Sequence, residues 1–411
     1  MKLLLIFLAL FSFISADCQQ HDLDYYFSHA KNNSPLLTDY KNQMRSAQVD
    51  SQLLRATQKI QINGVSNNFY APTIAGYGYD NIITNGAQVS AFVQANKNII
   101  TSANLATQYE TIRLMKESIG NSALLAEKDL RKTITTQYIT VYGDFQALSF
   151  SREILNLYQS EESILKRLTQ AGVYKQTDYL TFYVSYQQQT LLVRQSEIQY
   201  RNDCATLNYM SGIVDTSLVA LAAPNLQMGM LPDIFSTPYY RQYTLDSLNL
   251  VNQQKSIFYS YKPKVNIYAD AGYISSLQYD PYKNFGLSAG LNLSVPIYDG
   301  KQRKMKFQKI NIAEDSRQHY KDYFLRQYDQ QIAQLSQQLR STESLISDIN
   351  NQIKYSGTLI DVNKKLLETG EVRITDLILT INTFLNARNL LNQNYVNRMQ
   401  IINQINYWQA L

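Results

Sequence analysis

The ten residues VPIYDGKQRK at positions 295–304 join two segments with different sequence patterns. Before them, apolar and small residues alternate with the period of two that is typical of a β-strand. After them, apolar residues recur every three or four positions in a long polar segment, the pattern of packed helices. The junction therefore predicts a strand that leads directly into a long helix. Pro296 ends the strand, Gly300 belongs to the turn, and Asp299 can cap the helix.

Alternation of this kind occurs in two predicted hairpins, near residues 72–96 and 263–297. In 285–295, apolar residues alternate with Gly, Ser and Asn, and 265–273 shows the same arrangement. Each strand has about the 9–11 residues needed to cross a bilayer, although a half-buried sheet of a soluble protein alternates too. Four strands cannot close a membrane barrel, which needs about eight, so a spanning barrel would require several chains.

The helical segments are long and carry a continuous apolar seam. Residues 101–170 and 301–368 are nearly free of Gly and Pro, and about 70 helical residues extend for about 100 Å. A period near 3.5 indicates helices that pack and supercoil, and a plain coiled coil would show it as well. The seam of the second segment consists of Ile332, Leu335, Leu339, Ile346, Ile349, Ile353 and Ile360, with Thr342 and Ser356 at two of its positions.

Composition favours an envelope protein over a cytosolic enzyme. Charged residues are only 17% of the 411 residues, Tyr occurs 32 times, and the net charge of +5 is spread along the chain, so nucleic-acid binding is not expected. His21, His29 and His319 are scattered, and neither a nucleophile motif nor a metal-ligand spacing is present. We therefore expect no enzyme activity, no cofactor and no metal.

The first residues resemble a secretory signal peptide, with one Lys, an apolar core and small residues before position 17. We expect residues 1–16 to be this peptide, with cleavage after Ala16 or, alternatively, after Cys18. Lipidation of Cys18 is disfavoured because Asp17 stands where a small residue is needed. No later segment approaches the roughly 20 apolar residues of a membrane helix, so a membrane-spanning form would have to use strands.

The chain also contains an internal repeat. Each half, 17–212 and 248–411, is predicted to contain a helix, a β-hairpin and a long helical hairpin, with 213–247 as an irregular linker between the halves. The segment LTQAGVYKQTDYL (168–180) aligns with LETGEVRITDLIL (367–379). Glycine and aspartate recur in both segments with the same separation.

These motifs resemble those of the TolC-like outer membrane efflux proteins. The resemblance rests on VPIYDGKQR, on KPKVNIYADAGY before it and on the paired G-x-x-x-x-x-D turns, and it covers essentially all of 20–411. It implies a mainly α protein with membrane β-structure. Long coiled helical hairpins form a periplasmic α-barrel, and each chain adds four strands to a trimeric twelve-stranded outer-membrane β-barrel. One departure is that Gln94 and Asn98 replace the Pro and Gly of the strand exit in the first half.

The function that the resemblance implies is a homotrimeric passive exit duct in the outer membrane, with a long periplasmic extension. It would serve a tripartite efflux or type I secretion system together with a periplasmic adaptor, an inner-membrane pump and outer-membrane lipid. The alternative is a structural coiled-coil protein of the cell envelope, which would explain the helices but not the alternating strands. The cargo, the pump and the adaptor are not identified by the sequence.

The resemblance also suggests site residues at the two helix turns. Asp376 falls on the first gate position, Leu379 on the second, and Asp178 of the other turn would assist; alternatively, Asp376 only caps a helix. For adaptor contact the candidates are Leu168, Gly172, Leu367 and Gly370, although each glycine is equally expected of a simple helix stop.

A basic cluster follows the strand-to-helix junction. Lys301, Arg303, Lys304 and Lys306 lie near a helix N-terminus, where the helix dipole disfavours cations. They need a compensating partner, and the family's geometry suggests anionic lipid headgroups. A solvated basic face is the alternative.

Overall fold

The computed structural model describes residues 21–72, 74–78, 86–215, 221–230, 233–277 and 280–408. The predicted signal peptide and Cys18 lie outside these residues. No helix in the described part of the chain is both long and apolar enough to cross a bilayer. The chain divides into two compact units. Unit 1 comprises Met1–Thr38, Leu124–Pro238 and Phe324–Leu411, and unit 2 comprises Asp39–Ala123 and Tyr239–Tyr323.

The order of the elements repeats. The first half contains α1 (Leu23–Asn33), α2 (Pro35–Thr57), β1 (Gln61–Tyr70), β2 (Ala87–Ile99), α3 (Ser102–Gln170) and α4 (Gln176–Ser211). The second half contains α5 (Pro238–Ser260), β3 (Lys264–Ser275), β4 (Phe285–Ser294), α6 (Gln302–Thr369) and α7 (Ile374–Tyr407). The predicted long helices and the predicted number of strands are confirmed. The linker was predicted too long, because α5 already begins at Pro238.

The four described strands belong to unit 2 and form one antiparallel sheet in the order β1-β2-β3-β4. In the register of the sheet, Ala269 of β3 lies opposite Ala95 of β2 and Ala289 of β4. Paired residues of antiparallel strands share a face, so the apolar residues of β3 and β4 lie on one side of the sheet. The other side carries mainly Asn, Gln, Ser and Gly.

The position of the first strand was predicted wrongly. The sequence placed the first hairpin near 72–96, but β1 spans Gln61–Tyr70, before that range begins. The reason is that β1 has no two-faced pattern. Ser66 pairs with Ala91 and Asn68 with Val89, so polar residues stand on the apolar face, whereas Val65 stands on the other. Pairing with β2, and not its own alternation, makes this segment a strand.

The helical hairpins of unit 1 pack through the predicted seams. In α6, Leu335, Leu339, Ile346, Ile349 and Ile360 are buried, as are the two polar seam residues Thr342 and Ser356. The largest buried cluster contains side chains from all four long helices, including Tyr158 of α3, Phe182 of α4, Leu367 of α6 and Leu377 of α7. It lies beside the two helix turns and therefore fixes their positions.

Candidate functional site

The first helix turn, between α3 and α4, is a Schellman motif. The Gly172 N–H donates to the Thr169 carbonyl at 3.0 Å, and the Val173 N–H donates to the Leu168 carbonyl at 2.9 Å. Gly172 has φ +78°, in the left-handed region where only glycine is free of strain. A glycine at this position therefore stops the helix and reverses the chain.

The second turn, between α6 and α7, repeats this motif. The Gly370 N–H donates to the Leu367 carbonyl at 3.1 Å, and the Glu371 N–H donates to the Leu366 carbonyl at 2.9 Å. Gly370 has φ +80°. These bonds make Leu366 the counterpart of Leu168, so the sequence alignment of the two turns was one residue out of register at its start.

This shift corrects one predicted contact residue. Leu367 is fully buried, with 0% of its surface exposed, and belongs to the core cluster of unit 1. It therefore cannot present its side chain to a partner protein. Leu168 is half-buried and stays a candidate, together with the exposed Gly172 and the half-buried Gly370.

The two turns touch each other within unit 1. The Tyr174 hydroxyl, which follows the first turn, donates to the Val372 carbonyl of the second at 3.0 Å. Val173 packs on Gly370 so closely that a Cβ at position 370 would lie 2.6 Å from Val173 Cγ1. The turns therefore form one paired tip, a name used below for residues 166–180 and 364–379.

The two predicted carboxylates of the paired tip differ in their bonding. Asp178 accepts a hydrogen bond from the Lys175 N–H at 3.2 Å, which makes it a helix N-cap partner. Asp376 is exposed, and its carboxylate has no hydrogen bond or ion pair to any described residue. Leu379, three residues later and so on the same side of α7, is 66% exposed. Asp376 and Leu379 are thus available to a ligand or an ion, whereas Asp178 is already used.

The strand-to-helix junction in unit 2 turns on two left-handed residues. Gly300 has φ +65° and Lys301 has φ +68°. Asp299 accepts a hydrogen bond from the Arg303 N–H at 2.7 Å, as expected of a helix cap. Hydrogen bonds from the Tyr261 hydroxyl and from this N–H lower the pKa of Asp299. Strand β4 ends before Pro296.

Two cations of the basic cluster already have partners within unit 2. The guanidinium of Arg303 lies 5.7 Å from the ring centres of both Phe258 and Tyr261, and Lys306 Nζ lies 5.4 Å from the Tyr261 ring centre. Cation–π contacts of this kind offset part of the unfavourable helix dipole. Lys301 and Lys304 are exposed and make no such contact with described residues. We predicted that all four cations need an external anion. After these contacts are counted, that prediction applies only to Lys301 and Lys304.

No protein-family model and no curated protein matches the sequence. Solved structures do match it over nearly its whole length. CusC, whose crystal structures concern transmembrane channel formation, has 13% identity and a TM-score of 0.75, with 96% of this chain and 93% of that chain covered. The outer membrane protein VceC of Vibrio cholerae has 10% identity and a TM-score of 0.74, with 94% of this chain and 96% of that chain covered. The outer membrane channel CmeC of Campylobacter jejuni has 12% identity and a TM-score of 0.72, with 95% of this chain and 86% of that chain covered.

The chain has the TolC-like fold. The fold that the sequence motifs suggested is thereby confirmed, at sequence identities that carry no information about cargo. Within this TolC-like fold the sequence did not identify Val173 and Tyr174, which hold the two turns together. It also missed Phe258 and Tyr261 beside the basic cluster. All four side chains become relevant only through contacts between distant segments, and no local pattern marks such contacts.

Proposed function

We propose that this chain is the outer-membrane channel of a tripartite efflux or type I secretion system. Three copies form one duct, which passes cargo delivered by an inner-membrane pump through a periplasmic adaptor. The main support for the proposal is the sheet of unit 2. Its two edge strands are unpaired among the described residues, and one of its faces is apolar.

The sheet supports assembly in a membrane. Strands β1 and β4 each have one edge that no described strand pairs. In lipid an unpaired edge is strongly unfavourable, and closure with the sheets of two further copies removes every edge. The apolar side chains of β4 are highly exposed in the single chain: Phe285 by 75%, Leu287 by 86%, Leu291 by 64% and Leu293 by 57%. Lipid contact would bury this face.

The helices of unit 1 support the same assembly. Helix α4 exposes a stripe of apolar residues at helical spacing, and α6 exposes another. These residues are Leu180, Val184, Leu191 and Ile198 of α4, and Leu345, Tyr355, Leu359 and Val362 of α6. Spacings of three, four, seven and ten residues place each set on one side of its helix. A neighbouring copy would cover both stripes, with α4 of one chain packed on α6 of the next.

The paired tip is the proposed periplasmic entrance. Asp376 and Leu379 would line the opening, where three carboxylates attract cations and repel one another. Leu168, Gly172 and Gly370 would meet the adaptor, while Lys301 and Lys304 would face anionic lipid headgroups near the barrel. Asp178 has a lesser role here because its carboxylate already caps α4.

The proposal is tested by native mass spectrometry in detergent and by conductance in planar bilayers. We expect a trimer that inserts and conducts with discrete steps. A stable monomer without conductance would instead support a structural coiled-coil protein of the envelope, which is the second candidate function.

The gate assignment has its own test in the same bilayers. Asp376→Asn should lower selectivity for cations and weaken block by a trivalent cation, without a change in melting temperature. Asp178→Asn is the matched control and should leave conduction unchanged while it destabilises α4 slightly. Unaltered selectivity in Asp376→Asn would remove this residue from the gate.

A further inference from the structure

A single acidic residue, Asp270, occurs in the four described strands, near the middle of β3. It lies opposite Ser288 of β4 and Gln94 of β2, and Gln94 lies opposite Asn63 of β1. These four side chains form one polar row across the whole sheet, called the Asp270 row below. Because paired residues share a face, the row lies on the side away from the apolar residues of β4.

Among the described residues, the carboxylate of Asp270 has no cationic partner. Its one hydrogen bond to a described residue comes from the Ser288 hydroxyl, at 2.6 Å from Oδ1. Within the described strands the nearest cation on the same face is Lys264, six residues earlier, which corresponds to about 20 Å along an extended strand. Lys97 points to the opposite face, since it pairs with Ile267. The negative charge is therefore available to mobile cations.

Aromatic rings stand on both sides of the Asp270 row. Tyr268 lies on the same face two residues before Asp270, and a Cβ on the facing Gly290 would overlap its hydroxyl oxygen. Phe92 lies on this face in the next row, beside Gly272, where a Cβ would overlap the Phe92 side chain. Gly290 thus leaves room for the Tyr268 ring, and Gly272 allows the backbone of β2 to approach closely beside Phe92. Ring faces attract organic cations, and a carboxylate between them adds to that attraction.

We propose that Asp270 sets the charge selectivity of the strand segment and, with Tyr268 and Phe92, binds organic cations that carry an apolar body. This inference rests on the proposed function, because the polar face must line the lumen of a closed trimeric barrel. Three copies place three carboxylates at one height, each flanked by two rings. Among ions that pass through the lumen, this arrangement should favour organic ammonium and phosphonium ions.

The test uses the purified full-length protein in planar bilayers under a gradient of dilute potassium chloride. Dilute salt matters because the screening length is only about 10 Å at 0.1 M and would hide a ring of charges in a wide lumen. Reversal potentials give the preference for potassium over chloride, and tetraphenylphosphonium added from either side gives the block. Asp270→Asn should reduce the potassium preference about twofold or more and weaken the block about fivefold, an effect that shrinks in concentrated salt.

Two variants serve as controls for the loss of the charge. Ser288→Ala removes the hydrogen bond but keeps the carboxylate, and it should retain both selectivity and block. Asp280→Asn removes an acid that already pairs with Lys283 at 3.1 Å outside the strands, and it should change neither property. If Ser288→Ala loses as much selectivity as Asp270→Asn, Asp270 only fixes the register of β3 and β4, and the inference is wrong.

The aromatic contribution is tested separately with Phe92→Leu, which keeps every charge. This variant should retain the potassium preference but bind tetraphenylphosphonium more weakly. It also keeps the inference testable if Asp270→Asn fails to assemble, since an unchanged block in Phe92→Leu contradicts the organic-cation site. Conducting Asp270→Asn trimers with unaltered selectivity overturn the charge assignment alone, whereas a wild-type protein that does not conduct overturns the proposed function itself.

Discussion

The two helical hairpins of unit 1 have the same type of backbone turn, but the residues around the turn differ. Both turns are Schellman motifs with a left-handed glycine followed six residues later by an aspartate. The first turn is open around Gly172 and has a bonded Asp178, whereas the second is packed around Gly370 and leaves the Asp376 carboxylate without a partner among the described residues. The comparison shows that a repeated motif preserves a chain reversal while the neighbouring segments decide which copy is structural and which is available for binding.

The largest expected difference concerns the leucines before the turns. Leu367→Ala should lower the free energy of unfolding by about 3 kcal/mol, because it empties a fully buried site in the core. Leu168→Ala, at a half-buried site, should cost about 1 kcal/mol or less. Thermal unfolding followed by circular dichroism measures both changes. Leu366, and not Leu367, is the counterpart of Leu168, so equal losses would show that the half-buried Leu168 packs as tightly as the core residue Leu367.

The glycines offer the next test. Gly370→Ala should destabilise the protein by about 2 kcal/mol, since left-handed strain adds to the clash with Val173. Gly172→Ala, with nothing within 4 Å of the added Cβ, should cost only the strain, about 1 kcal/mol. The double variant Gly370→Ala with Val173→Ala should recover part of the loss, and its failure to do so would exclude the packing explanation.

Farther from their turns, the two hairpins also differ in how their ionisable side chains are paired. Between α3 and α4, burial and a hydrogen bond with the Asp203 carboxyl raise the pKa of Asp144 to about 7. At about the same distance from the second turn, Arg398 and Glu343 form an ordinary ion pair at 2.9 Å. The Asp144–Asp203 pair of the first hairpin is therefore expected to respond to pH near neutrality.

The sign of this response follows from the two pKa values of Asp144. The folded state keeps a proton that the unfolded chain, with a pKa near 3.9, releases, so stability falls as pH rises from about 4 to about 7. Asp144→Asn keeps a neutral donor for Asp203 and should add about 1 kcal/mol at pH 8 but almost nothing at pH 4. Melting curves at pH 4 and pH 8 test this prediction, and Glu343→Gln is the control, because it leaves Asp144 in place and should keep the pH dependence of the wild-type protein.

The bond between the turns should contribute a smaller amount. Tyr174→Phe removes the hydrogen bond to the Val372 carbonyl and should cost about 1 kcal/mol. Tyr183→Phe is a suitable control, since Tyr183 is 38% exposed and its hydroxyl bonds to no described residue. Hydrogen exchange at residues 370–374 should also increase in Tyr174→Phe alone. Unchanged exchange would mean that the two turns are held together without this bond.

The smallest expected effect distinguishes the two aspartates. Asp178→Ala should lose about 0.5 kcal/mol more than Asp376→Ala, because both lose a favourable dipole interaction but only Asp178 loses a cap bond. Chemical denaturation of the two single variants and the double variant measures the difference. A larger loss for Asp376→Ala would reverse the assignment of structural and available carboxylates.

Periodicity and turn chemistry were sufficient to predict much of this molecule. Most seam residues of α6 are buried where the 3.5-residue period placed them, with Ile332 and Ile353 half-buried, and the predicted turn glycines adopt left-handed φ values. These features depend on local stereochemistry, which the residues themselves specify. Strand β1 was misplaced because its faces are mixed, and its pairing with β2 overrides its weak pattern.

Local sequence patterns were enough to predict the helical hairpins, their turns, the two-faced strands β3 and β4, and the cap at Asp299, because each depends on neighbours along the chain. Contacts between distant segments place Leu367 in the core, Val173 beside Gly370, and the Tyr261 ring beside Arg303 and Lys306. Tertiary structure also decided which aspartate of the paired tip stays without a partner among the described residues. The physical reason is that burial and partner choice depend on segments far apart in sequence, whose approach no local pattern specifies.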